Sequence, residues 1–162
     1  MAISRWVVDA SPLILLGKTD QLDLLATLAD ALIVPRSVAD EVGAKPDGTR
    51  LLETLAKNVQ YAVVSDEAVP PEILAWDLGP GESQVIANAR RHGADRVVLD
   101  DLEARRCAKA MGLRVIGTLG IVARAKRAGR IESAAPVIGR LRETGLYASD
   151  ELVAQLLSEV GE

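Results

Sequence analysis

The sequence has no phenylalanine, one cysteine and one histidine, and aromatic residues make up 2% of its 162 positions. Each scarcity excludes a class of protein. Cys107 has no partner for an intramolecular disulfide, and a lone cysteine builds no cysteine-based zinc site. With His92 the only histidine, histidine-dependent triads and multi-histidine metal sites are excluded within one chain. Base-stacking RNA modules and single-strand platforms rely on exposed rings, and only Trp6, Trp76, Tyr61 and Tyr147 are available. No stretch approaches the roughly 20 apolar residues of a membrane span. The short apolar run near the N-terminus is interrupted by Asp9 and has no basic lead into a cleavage site, so the expectation is a cytoplasmic protein with no membrane association.

What is present describes one folded domain. The chain is 49% hydrophobic and 26% charged, with a formal charge of −4, too apolar and too weakly charged for disorder. Short β-branched runs recur at Arg5 to Asp9, Ala31 to Pro35, Tyr61 to Ser65, Arg96 to Asp100 and Arg114 to Gly117. Between them lie helically spaced apolar residues: Leu22, Leu24, Leu25 and Leu28 after Asp20 as a cap, Leu51, Leu52 and Leu55 after Thr49, Val85, Ile86 and Ala89 after Gly81, Ala104, Cys107, Ala108 and Met111 after Asp100, and Ile121, Val122 and Ala125 after Thr118. Strands alternating with helices predict an α/β fold, three layers with a central parallel sheet of about five strands. Residues 65–81, rich in Pro and Gly, read as a loop with at most one short helix. Past Gly129 the pattern is helical only. The expected organisation is therefore an α/β domain over residues 1–130 and a helical extension, 131–162, packed on it or on a partner subunit.

In open parallel sheets, ligands bind outside the carboxyl ends of the strands. That rule selects Asp9 at the end of the first strand and Asp100 and Asp101 at the end of the fourth. Glu41, on the helix after the second strand, and Glu82, opening the helix after Gly79-Pro80-Gly81, join them. Each has a plain structural explanation as a helix cap or dipole partner. Together they describe like charges converging at the ends of buried strands, which repel unless a cation neutralises them. Oxygen ligands without His or Cys favour Mg²⁺ or Mn²⁺. Competing motifs are weaker. Gly79 and Gly81 are followed by Gln84 where a dinucleotide fingerprint needs its third glycine, no Walker A run is present, the acidic pair comes too late for a receiver-type phosphoacceptor, and Ser11 stands where a dehalogenase-type nucleophile motif has a second Asp.

With Asp9, Glu41, Glu82 and Asp100 in this order on alternating strands and helices, the sequence resembles the PIN domain, the metal-dependent ribonuclease fold of VapC-type toxins. The likeness runs from about Arg5 to Gly129 and is carried by V-V-D-A-S-P, by P-R-S-V-A-D-E-V with Glu41, by G-P-G-E-S-Q-V-I-A-N-A with Glu82, and by V-V-L-D-D-L-E-A-R with the Asp100-Asp101 doublet. Glu82 stands where the family usually has Asp, and no aromatic residue follows the doublet. The stretch Gly112 to Gly129 looks like a PIN branch with a Gly-Thr-Leu-Gly turn. The resemblance implies hydrolysis of RNA phosphodiesters by metal-activated water, with Asp9, Glu41, Glu82 and Asp100 as the catalytic set and Asp9, Asp100 and Asp101 as metal ligands. It also implies a toxin held by an antitoxin protein, or alternatively a catalytically weak binding module, and pairing into a homodimer. For that pairing the Leu-rich stretch Leu13 to Leu28 and the C-terminal helices offer apolar surface.

Charge distribution bears on a polyanionic partner. From Arg90 to Arg142 there are 13 basic against 5 acidic side chains, and the rest of the chain carries 6 against 18. Such asymmetry is what phosphate binding by an acidic protein requires. Arg105, Arg106 and Lys109, one or two turns past the doublet, are the expected contacts to an RNA backbone, with Ser11 and Thr118 as hydroxyl partners.

Overall fold

The computed structural model describes residues 3–162; Met1 and Ala2, at the head of the N-terminal segment weighed above, lie outside the described residues. Five parallel strands form one sheet in the order β3-β2-β1-β4-β5: β1 (Arg5–Val8), β2 (Ala31–Pro35), β3 (Gln60–Val64), β4 (Arg96–Val98) and β5 (Val115–Ile116). The central strands are apolar on both faces because helices cover both: Val7, Val8, Val97 and Val98 have no exposed surface. In register, Trp6 stands beside Leu32 on one side and Arg96 on the other.

The crossovers from β1 to β2 and from β2 to β3 run one way along the sheet, and those from β3 to β4 and from β4 to β5 run the other. With right-handed connections, the two groups of helices must lie on opposite faces. On one face are α1 (Ala10–Lys18), α2 (Asp23–Leu28) and α4 (Gly48–Asn58), joined by α8 (Thr118–Arg127) against α2 and α9 (Ala134–Thr144) against α1 and α8. On the other are the short α5 (Pro71–Leu74), α6 (Pro80–His92) and α7 (Leu102–Ala110). Helix α3 (Arg36–Gly43) touches both α1 and α6, and α10 (Asp150–Glu159) packs on α9. This is the expected three-layer α/β/α architecture, and the loop over 65–81 holds one short helix, α5, as its composition implies.

Three helix starts differ from the sequence expectation. Asp20 does not cap α2; it sits in a left-handed turn (φ 55°) and Leu22 is the N-cap. Asp47, also left-handed, precedes α4 in place of Thr49. At α7 the cap is Asp101, not Asp100. Asp tolerates the left-handed region better than most side chains, and local apolar spacing does not register that choice.

The Leu13–Leu28 stretch, expected to offer surplus apolar surface to a second copy, spends it within the chain. Leu13, Leu15, Leu16, Leu24 and Leu25 are buried where α1 and α2 meet the sheet, α8 and α9. No helix among the described residues is long and apolar enough to cross a membrane.

Candidate active site at the carboxyl edge of the sheet

The strand order reverses between β1 and β4, so the topological switch point, where a crevice opens at the carboxyl edge, lies where these two strands end. Asp9 and Asp100 follow them. The Asp9 amide donates to the Val98 carbonyl at 3.1 Å, carrying the ladder past the strand ends. Although Asp9 precedes α1, its side chain makes no capping bond to that helix.

Asp9 is 6% exposed, and a carboxylate kept from water is costly. Burial is the main cause that pushes its carboxyl up to about 7; the carboxylates of Glu82, Glu41 and Asp100 push the same way, and the adjoining Ala10 amide opposes them. Charges from α3, from α6 and from just past β4 thus bear on Asp9, which follows β1.

Their individual partners differ. Asp100 is gripped by the start of α8: the Thr118 amide donates to Oδ1 at 2.7 Å and the Thr118 hydroxyl to Oδ2 at 2.6 Å. Thr118 itself is fully buried. Glu82 folds back so that Oε2 accepts the Gly79 amide at 2.9 Å, capping the start of α6; Gly79 has no side chain to return the bond. Glu41 is exposed on α3. Asp101 is exposed and turned away to cap α7, accepting the Ala104 amide at 3.0 Å. Among the described residues no three His, Cys, Asp or Glu side chains stand close enough together to hold a metal ion.

The basic and hydroxyl residues separate in the same way. Arg105 lies beside Asp100: its Nη1 donates to the Leu99 carbonyl at 2.9 Å. Arg106 instead pairs with Glu103 along α7 at 2.7 Å, with both side chains more than half exposed. Lys109 is exposed one turn on, and Ser11 is exposed in the first turn of α1.

Two glycines that sequence reasoning passed over shape the edge. A Cβ on Gly81 would come within 3.4 Å of Asp9 Oδ1. One on Gly117 would meet Arg105 Nη1 at 2.6 Å and Asp100 Oδ1 at 3.0 Å. A third feature missed is Gln84, whose side-chain amide clamps the backbone of Glu67 from both sides at 2.8 Å, donating to its carbonyl and accepting its amide. The Gly-Pro-Gly and Gly-Thr runs were visible signals for the glycines, but Gln84 left none, because its partner is a loop backbone 17 residues away.

A concavity of about 810 Å³ lies elsewhere, between α1, α2 and α4, and none of the four acids lines it. The acids lie outside it, at the carboxyl edge of the sheet.

A parallel sheet between two helical layers, with carboxylates gathered at its switch point, defines a nuclease-type α/β module. The sequence from residue 5 to residue 162 matches the family described as PIN domain, and the chain belongs to that family. The fold is also that of several solved structures at low identity. Protein PAE2754 from Pyrobaculum aerophilum superposes with a TM-score of 0.54 and 18% identity, covering 75% of this chain and 88% of that one. A PilT N-terminus domain protein, SSO1118, from the hyperthermophilic archaeon Sulfolobus solfataricus P2 gives 0.51 and 17%, covering 75% and 92%. A domain of a functionally unknown protein from Methanocaldococcus jannaschii gives 0.53 and 18%, covering 70% and 90%. No curated protein matches the sequence.

Proposed function

We propose that this chain is a ribonuclease that hydrolyses RNA phosphodiester bonds with Mg²⁺ or Mn²⁺ as cofactor. The observation that carries the reading is Asp9: a buried carboxylate that caps nothing, at the switch point, surrounded by three further negative charges. The donor set fits a hard divalent ion, since it is all oxygen and a cation offsets the repulsion that Asp9 carries. Asp9 and Asp100 would hold the ion, with Glu41 and Glu82 adding charge around it. Bound there, the ion supplies an activated water and neutralises the leaving oxygen. Thr118 and Arg105 keep Asp100 and the end of β4 in place. Ser11 lies on the exposed side of the same edge and is available to a phosphate. Arg106 and Lys109, on the exposed face of α7, serve an RNA backbone only at its periphery.

A second reading, a binding module with weak or no cleavage, draws on a specific observation: Glu82 and Asp101 spend their side chains on caps, and no three-carboxylate cage is formed in advance. An RNA-cleavage assay with added Mg²⁺ or Mn²⁺, on the parent chain and on Asp9→Asn and Asp100→Asn, decides between them. The ribonuclease reading expects cleavage that EDTA and either substitution abolish. RNA that is bound but not cut under any metal supports the second. Cleavage indifferent to EDTA and to both substitutions overturns the site itself. A toxin held inactive by an antitoxin protein remains the biological setting we favour, with residues 1–130 as the catalytic domain and 131–162 as an extension resting on it.

A further inference from the structure

The +8 balance of residues 90–142 does not gather at the acidic edge. Three of its arginines meet at the opposite pole. Arg96 opens β4, and because Val97 pairs with Val115 in parallel register, Arg96 stands next to Arg114, just ahead of β5. The face they share follows along the same row. Arg96 is in register with Trp6, Trp6 with Leu32, and Leu32 with Tyr61, whose hydroxyl donates to Leu52 of α4. The row therefore faces the layer that contains α8. Helix α8 starts at Thr118 on the acidic edge and runs back toward this pole, where it brings Arg124.

Among the described residues the three guanidiniums have no salt-bridge partner, and the charge of Asp95 offsets theirs only in part at Arg96. Asp95 adjoins Arg96 and its charge acts on it, while its Oδ2 accepts the Arg5 amide at 2.7 Å and makes no ion pair. Arg114 and Arg124 are exposed and Arg96 is half-buried. Burial, and then the charges of Arg124 and Arg114, hold the Arg96 guanidinium below the usual arginine range. Like charges held together in this way are relieved by an anion, and guanidinium matches phosphate geometry.

We infer that Arg96, Arg114 and Arg124 form a second phosphate-binding site, through which a nucleic acid engaged at the Asp9–Asp100 edge is also held at the opposite pole of the sheet. The distance between the two poles follows from β4 itself: Asp100 lies four residues beyond Arg96, ~13 Å along an extended strand, or about four nucleotide steps. At roughly 3.4 Å per step along a stacked strand, that distance is spanned by about five nucleotides. This inference rests on the nucleic-acid reading above and adds a length requirement to it: RNAs shorter than about five nucleotides engage one pole only, and longer ones engage both.

The test is binding, measured by fluorescence anisotropy on the Asp9→Asn chain so that no cleavage intervenes, with labelled single-stranded RNAs from about three to about twenty nucleotides, lengths chosen to bracket the distance between the two poles. Affinity is expected to step upward as the span is passed, and Arg114→Gln/Arg124→Gln, both exposed positions, should erase the step. For the long RNA the expected loss is about tenfold, with the salt slope reduced by ~1–2. An unchanged affinity and slope in the double variant, with its thermal unfolding unaltered, overturns the second site while leaving the proposed activity standing. No RNA binding at any length overturns both. If the double variant loses binding to polyglutamate and keeps binding to RNA, the patch belongs to an acidic protein and the inference fails.

Discussion

At the scale of single residues, Asp9 has the sharpest consequences. Its carboxyl ionises near 7 in the folded chain and near 3.8 when unfolded, so the folded state holds its proton more tightly between those values. Stability of the metal-free chain is expected to fall as pH rises from about 4 through 7, by a few kcal/mol at most. Thermal unfolding across that range checks the slope, and Asp9→Asn should flatten it. Mg²⁺ added at pH 8 should raise the melting temperature of the parent chain and leave Asp9→Asn unmoved; equal shifts in both would remove Asp9 from the ion's site. Gly117 is the second case. Its φ of −102° is open to any residue, so Gly117→Ala acts purely through crowding against Arg105 and Asp100. A destabilisation of about 1–3 kcal/mol is expected, together with a loss of cleavage larger than that destabilisation explains, because Asp100 must move. Parallel melting and cleavage measurements separate the two effects.

At the scale of elements, two long-range clamps hold pieces that local sequence does not connect. Gln84 on α6 secures the stretch after β3, and Asn88 one turn on donates to both Gln84 oxygens, at 3.0 and 3.1 Å. Gln84→Ala removes three side-chain bonds, two to the Glu67 backbone and one from Asn88, and should cost about 1–3 kcal/mol while raising hydrogen exchange at Glu67 more than at the strands. Glu162 does the same for the C-terminal helices. Its side chain accepts from the Ser133 hydroxyl and the Ala134 and Ala135 amides, capping α9 from beyond the end of α10. Those bonds hold its carboxyl down to about 2. The stability it contributes is present above its ordinary value near 4.5 and lost as pH falls toward 2. Glu162→Gln should therefore loosen α9 and α10 at neutral pH and differ less from the parent chain in acid, as exchange of the Ala134 amide would report.

At the scale of the molecule, Asp9 and Asp100 stand where β1 and β4 end, with Arg105 beside them, and Arg96 and Arg114 stand where β4 and β5 begin, with Asp95 beside them. Under the proposed function, that separation, about the length of β4, would let a chain of net charge −4 offer a polyanion its arginines apart from Asp9 and Asp100.

Patterning alone was enough to specify the α/β alternation, the buried parallel strands and the positions of Asp9 and Asp100 at strand ends, because apolar periodicity and the chain's order of elements are local properties that burial enforces. Which carboxylates keep their oxygens free was a different matter. Glu82 and Asp101 turn into caps, Asp100 is taken by Thr118, and Arg105 is drawn to Leu99 because backbone amides and carbonyls from distant segments arrive beside them. The basic half read as one block along the chain; only strand register and the return of α8 place Arg96, Arg114 and Arg124 together and away from the acids. Residue types and their order set the fold and the candidate acids, whereas side-chain partnership depends on contacts across many residues, which only the packed tertiary structure decides.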